Sequence, residues 1–179
     1  LLINAKQKGK GVILLTCHLG NFELMAAGIG QARVGPYCLY RRLDYRPLDR
    51  LLREIRERVG TTMIPLNNAS RKVVDLLGKG EVVATLLDQN VDWYKGVFVD
   101  FLGRPACTNK GLAILSLRSK APVVPMYTVR KNRHFTIEFL PEIPRVETGD
   151  EIKDLEINTQ NYNLAIASMV RKYPDQYFW

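Results

Sequence analysis

Two short clusters carry the residue types that proton-transfer chemistry needs: His18-Leu19-Gly20-Asn21-Phe22-Glu23 and Asp88-Gln89-Asn90. A neutral imidazole accepts a proton near neutral pH, and a carboxylate on its other ring nitrogen fixes the tautomer and stabilises the imidazolium that forms. Glu23 follows His18 by five residues, and Gly20 between them allows a tight bend that folds the glutamate back on the histidine. On that reading His18 is a general base and Glu23 its orienting partner. The plainer alternative leaves His18 as a satisfied polar residue at a strand end and Glu23 as a charge in a helix's first turn. Cys17 adjoins His18, but consecutive strand side chains point to opposite faces, so Cys17 reads as core rather than as a nucleophile paired with it. Taken alone, Asp88 reads as a turn or cap residue. His134, among Arg130, Lys131 and Arg133, reads as exposed and structural.

The elements that must position these clusters follow from periodicity. Gly11 to Cys17 is a short continuous apolar run opened by glycine, the pattern of a strand buried on both faces, and it delivers the chain to His18. Asn21 to Ala27 predicts a helix with Asn21 as N-cap and Glu23 in its first turn. Tyr37 to Tyr40 predicts a second strand. In Pro47 to Val59, Leu48, Leu51, Leu52, Ile55 and Val59 recur at helical spacing before Gly60. A short strand over Thr61 to Ile64 precedes a helix capped by Ser70 and closed by Gly78. Glu81 to Leu87 is a further buried strand, delivered directly into Asp88-Gln89-Asn90. Gly96 to Phe101 alternates and reads as extended, Thr108 caps a helix over 109–119, and Pro122 to Val129 returns as a strand. Lys131-Asn132 turns into a last strand, Phe135 to Phe139. Pro141 to Glu156 reads as a loop, and Tyr162, Ile166, Met169, Val170 and Tyr173 mark a C-terminal helix. Strand and helix alternate throughout, which predicts an α/β fold with a mostly parallel or mixed central sheet flanked by helices, in a single domain over 1–179. In such sheets ligands bind beyond the carboxyl ends of the strands, where both polar clusters fall.

Composition narrows the function classes. With 46% hydrophobic and 25% charged residues, the 179-residue chain has the make-up of a globular domain rather than a disordered or collagenous one. Three cysteines with no CxxC pair argue against a disulfide framework or zinc ribbon, and two histidines without an HExxH motif give little support to a metal-dependent hydrolase built on His18, Glu23 and Asp88. No metal or other cofactor is expected. The longest apolar runs are strand-sized, well short of the roughly 20 residues that span a bilayer. No initiator Met or signal-peptide pattern opens the sequence, which reads as truncated at both ends. The net charge of +8 is unevenly placed: residues 1–137 hold 22 basic and 10 acidic side chains, net +12, and residues 138–179 are net −4. Arg41 to Arg58 is the densest basic stretch. It reads either as a solvated helix laced with i,i+4 pairs or as a surface for an anionic partner such as lipid headgroups, nucleic acid or an acidic protein.

Cys17-His18-Leu19-Gly20-Asn21-Phe22-Glu23 resembles the HxxxxE signature of the bacterial lipid A biosynthesis acyltransferases, the lauroyl and myristoyl transferases of lipopolysaccharide assembly. Further blocks look like that family's in the same order: Leu39-Tyr40-Arg41, Leu77 to Val83, Leu87-Asp88-Gln89, Val97 to Gly103, Ala121 to Pro125 and the closing Tyr173 to Trp179. The resemblance implies a lysophospholipid-acyltransferase-like fold and transfer of a fatty acyl group from a thioester, on acyl carrier protein or coenzyme A, to a hydroxyl of a glycolipid. It implies His18 as the base and Glu23 as its partner. It places Arg41 at phosphate or at the reaction's oxyanion, and gives Asp88 and Gln89 a part in shaping the site. It further implies work at an anionic inner-membrane surface, on the cytoplasmic face, with any anchor outside this segment. The sequence departs from the family's pattern in lacking its N-terminal hydrophobic anchor, in having Phe101-Leu102 where an aromatic pair is usual, and in lacking the basic cluster after the terminal Trp. A lysophospholipid or a phosphoinositide mannoside is the alternative acceptor. The rival from another class is a non-enzymatic basic module for nucleic acid or membrane. No RNP, zinc-finger or helix-turn-helix pattern supports its nucleic-acid form, so nucleic acid is not expected as a partner.

Overall fold

The computed structural model describes residues 1–32 and 34–179. Strand β1 (Val12–Thr16) is buried at every position, as expected for an apolar run at the centre of a sheet covered on both faces. β2 (Tyr37–Tyr40), β3 (Thr62–Pro65), β4 (Val82–Leu86), β7 (Val123–Lys131) and β8 (His134–Phe139) join it in the order β3-β2-β4-β1-β7-β8. All neighbours run parallel except β8, which returns antiparallel on β7 and makes the sheet mixed, as the pattern after Lys131-Asn132 predicts.

Alternate residues of each strand serve two separate cores. On one face Ile13, Leu15, Val83 and Val123 pack with α4 (Ala69–Gly78), α5 (Gly111–Ser119) and the long α6 (Glu151–Lys172) through Val73, Leu77, Leu112, Tyr162 and Ile166. On the other, Val12, Leu14, Val82, Val124 and Met126 pack with α1 (Leu2–Lys6) and α2 (Phe22–Gln31) through Ala5, Met25 and Ile29. Helix α3 (Arg46–Glu57) follows β2 and contributes no buried residue to either core. Among the described residues no helix is long and apolar enough to cross a membrane.

Three expectations are corrected. Ser70 does not cap α4, which begins at Ala69 with Asn68 in the N-cap position. The segment Gly96 to Phe101 is extended as expected, as β5 (Gly96–Phe101) in a hairpin with β6 (Arg104–Asn109), but Thr108 lies in β6 instead of capping a helix. Its hydroxyl accepts from Asn163 Nδ2 at 2.8 Å, while α5 starts after Asn109, whose Oδ1 accepts from Gly111 N. The interval Pro141 to Glu156 is not all loop, because α6 already begins at Glu151. Asp150 caps it by accepting from the N–H groups of Ile152 and Lys153, and Asp154 accepts from the backbone and hydroxyl of Thr148 at 2.7 Å. The first turns of α6 are polar because they tie down the preceding segment, so an apolar period starts only further along.

Candidate active site

The register of β1 against β4 decides which residues meet. The two strands are parallel neighbours with Thr16 opposite Leu86, and Leu87 N continues the ladder by donating to Thr16 O. His18 and Asp88 each lie two residues beyond that last pair, on strands about 4.8 Å apart, so a side chain from one reaches the other. His18 Nδ1 is 2.8 Å from Asp88 Oδ1, and the His18 backbone N–H donates to Asp88 Oδ2 at the same distance. Opposite a carboxylate oxygen Nδ1 carries the proton, which leaves Nε2 with its lone pair free. The Asp88 side chain is 2% exposed and that of His18 is 21%, so the carboxylate is sealed below and the imidazole is reachable from above. Phe22 packs its ring edge-on against the imidazole, centroids 4.8 Å apart.

This pair lies where the chain parts to opposite faces of the sheet. After β1 it enters α2, which belongs to one core, and after β4 it passes through the β5–β6 hairpin to α5, which belongs to the other. Such a division opens a crevice at the carboxyl ends of adjacent strands. The C-terminal segment closes the crevice from beneath. Gly20 N donates to Gln176 O, Phe178 N donates to His18 O, and Gln176's side chain bonds both backbone groups of Arg130 in β7. Burial first, then the charge of the Asp88 carboxylate, push the Tyr177 phenol well above its ordinary range.

The sequence-derived candidates fall into three places. His18 and Asp88 meet. Glu23 does not join them: in the first turn of α2 its Oε2 accepts from Arg56 Nε at 2.9 Å and its Oε1 from Arg56 Nη2, a two-point pair that ties α2 to α3. The bend at Gly20 therefore turns Glu23 toward α3 instead of back onto the imidazole. Arg41 and Gln89 are exposed at the carboxyl edge, one just after β2 and the other beside Asp88. With β4 between β2 and β1, Arg41 lies on the far side of Asp88 from His18. Cys17 is fully buried, and burial above all, with Asp88's charge adding to it, pushes its thiol far up, which leaves it inert as a nucleophile. Arg56 and Tyr177 were missed. No local motif marks either, since each acquires its partner only through tertiary contact.

The profile of the bacterial lipid A biosynthesis acyltransferase family matches residues 2–179. A lipid A biosynthesis acyltransferase of Haemophilus influenzae is 32% identical over 182 residues, covering 98% of this chain and 54% of that protein. With its mixed α/β sheet and a histidine–carboxylate pair in the strand-end crevice, the chain belongs to the bacterial lipid A biosynthesis acyltransferase family. It spans about half the length of the curated relative it matches.

Proposed function

We propose that the chain is the catalytic core of an enzyme that moves a fatty acyl group from a thioester, carried on acyl carrier protein, to a hydroxyl of a lipid A precursor. The observation that carries this is the His18–Asp88 pair, set by strand register, with the carboxylate buried and the imidazole partly exposed. His18 Nε2 takes the proton of the acceptor hydroxyl as its oxygen attacks the thioester carbonyl. Asp88 holds the ring's tautomer and stabilises the imidazolium. The tetrahedral intermediate collapses by breaking the carbon–sulfur bond, and the departing thiolate takes back the proton from His18. No covalent acyl-enzyme is required, in keeping with the buried Cys17. The developing oxyanion lies near the positive end of α2, whose first turn follows His18 directly. Glu23 serves the same reaction at one remove by holding the Arg56 guanidinium, and Arg41 and Gln89 line the approach for a phosphorylated acceptor. Membership of the family, the basic N-terminal three quarters and the exposed strand-end arginine support a phosphorylated glycolipid acceptor at the cytoplasmic face of a bacterial inner membrane.

The test is product mass. Incubated with acyl carrier protein thioesters, with acyl-coenzyme A and with lipid A precursors, the protein is expected to add one acyl chain, and His18→Ala to lose about 10² to 10⁴-fold in turnover. His134→Ala is expected to keep the parent rate. Acylation of a lysophospholipid or phosphoinositide mannoside in place of lipid A precursor would move the acceptor assignment, and parent-like turnover by folded His18→Ala would sink the mechanism.

A further inference from the structure

Helix α3 has the make-up of a helix that lies in a lipid interface. Leu48, Leu51 and Ile55 fall on one face at i, i+3 and i+7, and the structure leaves them 43%, 52% and 48% exposed. Arg46, Arg50 and Arg53 occupy the opposite side together with Glu57, all exposed, and among the described residues Arg53 alone of the three engages in an ion pair, to Glu57 one turn on. The last turn of the helix is bonded to the body: Arg56 bonds Glu23, Arg56 O accepts from the Thr61 hydroxyl, and Glu57 Oε1 accepts from Met63 N. Among the described residues, its apolar row is half-exposed and belongs to neither core. A row of bulky aliphatics backed by arginines is the pattern of helices that bury one face at the headgroup boundary of an anionic bilayer.

We propose that α3 docks the protein on an anionic lipid surface, with Leu48, Leu51 and Ile55 inserted at the headgroup level. Charge complementarity favours lipid, since the chain is +8 and residues 1–137 are +12, although the helix itself, with four arginines against Asp49, Glu54 and Glu57, is only +1. Trp93 and Tyr94 favour it too. They are exposed in the loop after β4, on the same strand-end edge from which the chain enters α3, and such aromatics settle at the membrane–water boundary. A second copy of the chain is a poorer occupant, because a symmetric contact brings two bodies of net charge +8 together. Trp93 and Tyr94 share the carboxyl strand-end edge with His18 and Asp88, so docking that includes them brings the pair toward the lipid surface. The inference rests on the lipid-acceptor reading above, but its readout is binding instead of turnover.

Flotation of the protein with phosphatidylcholine vesicles, with and without phosphatidylglycerol, tests it. The parent is expected to float with the anionic vesicles, and Leu48→Ser/Leu51→Ser/Ile55→Ser to bind them about tenfold or more weakly with an unchanged melting curve. Arg46→Gln/Arg50→Gln/Arg53→Gln is expected to lose the preference for phosphatidylglycerol, and Ile152→Ser/Ile157→Ser, exposed at the start of α6, to bind as the parent does. His18→Ala that floats normally and does not turn over separates docking from catalysis. Parent protein that fails to float, a triple serine variant that floats undiminished, or serine substitutions that convert a dimer to monomer in sedimentation would overturn the proposal; the last would assign the face to a second copy.

Discussion

Asp88 accepts two hydrogen bonds from a single residue, one from the His18 ring and one from its backbone, so the imidazole cannot rotate without losing a bond to a sealed carboxylate. Glu23, half-exposed, makes its own two-point pair with Arg56. Because that pair is partly solvated, a double-mutant cycle of Glu23→Gln and Arg56→Gln should return a coupling of only about 0.5–1 kcal/mol in thermal or denaturant unfolding. The same two variants should slow acyl transfer by similar factors and not additively, since each removes one joint. Cys17→Ala should keep parent-like turnover, and Cys17 in the folded parent should resist alkylation by iodoacetamide, because a buried thiol pushed upward carries little thiolate. The histidine and both carboxylates were legible in the sequence as candidates. Their pairing was not, since chain separation favours Glu23 at five residues over Asp88 at seventy, and only strand adjacency reverses that order.

At the scale of elements the site depends on how closely the turn after β1 packs. Gly20 has φ +61°, and a Cβ there would lie 2.0 Å from Thr128 O, against β7 backbone that cannot yield. Gly20→Ala should therefore destabilise the fold by about 2 kcal/mol or more, read as a lowered denaturation midpoint, and displace His18 with it. Helix α6 is fixed to the β7–β8 hairpin by Glu138, which accepts from Tyr127 OH at 2.6 Å, from Lys131 and from Lys172 at 3.1 Å. These donors, Lys131 first, hold its carboxyl at about 2. A folded-state value below the unfolded one means the contribution is complete above the ordinary carboxylate range and fades as pH falls toward 2. The parent should thus be more stable than Glu138→Gln at pH 7, with the difference shrinking between about pH 4.5 and 2 in urea unfolding. The central strands were legible because continuous apolar runs such as Val12 to Leu15 have few other uses. The start of α6 and the β5–β6 hairpin were not. Thr108, Asp154 and Asn158 spend their polar groups on long-range bonds, such as Asn158 with both backbone groups of Val146, that no local period announces.

For the molecule as a whole, the sheet gathers the ends of β1, β2 and β4 at one edge, and with them the histidine, its carboxylate and the exposed arginine. The surplus of positive charge sits in the same N-terminal three quarters of the sequence, so on the proposed function an acidic carrier and a phosphorylated lipid would be attracted to this part of the chain, an attraction that added salt should weaken. Raising ionic strength should therefore increase KM for the acyl carrier protein donor more than it lowers kcat, in initial rates over a salt series. The strand alternation and the charge division were legible in the sequence; the strand order that turns them into one crevice was not. The account turns on Asp88 holding His18, and kcat for acyl transfer by folded Asp88→Asn tests it most directly. The amide cannot stabilise the imidazolium as the carboxylate does, so a fall of about 10² to 10⁴-fold is predicted, with binding of the donor retained. Turnover at the parent rate would contradict it.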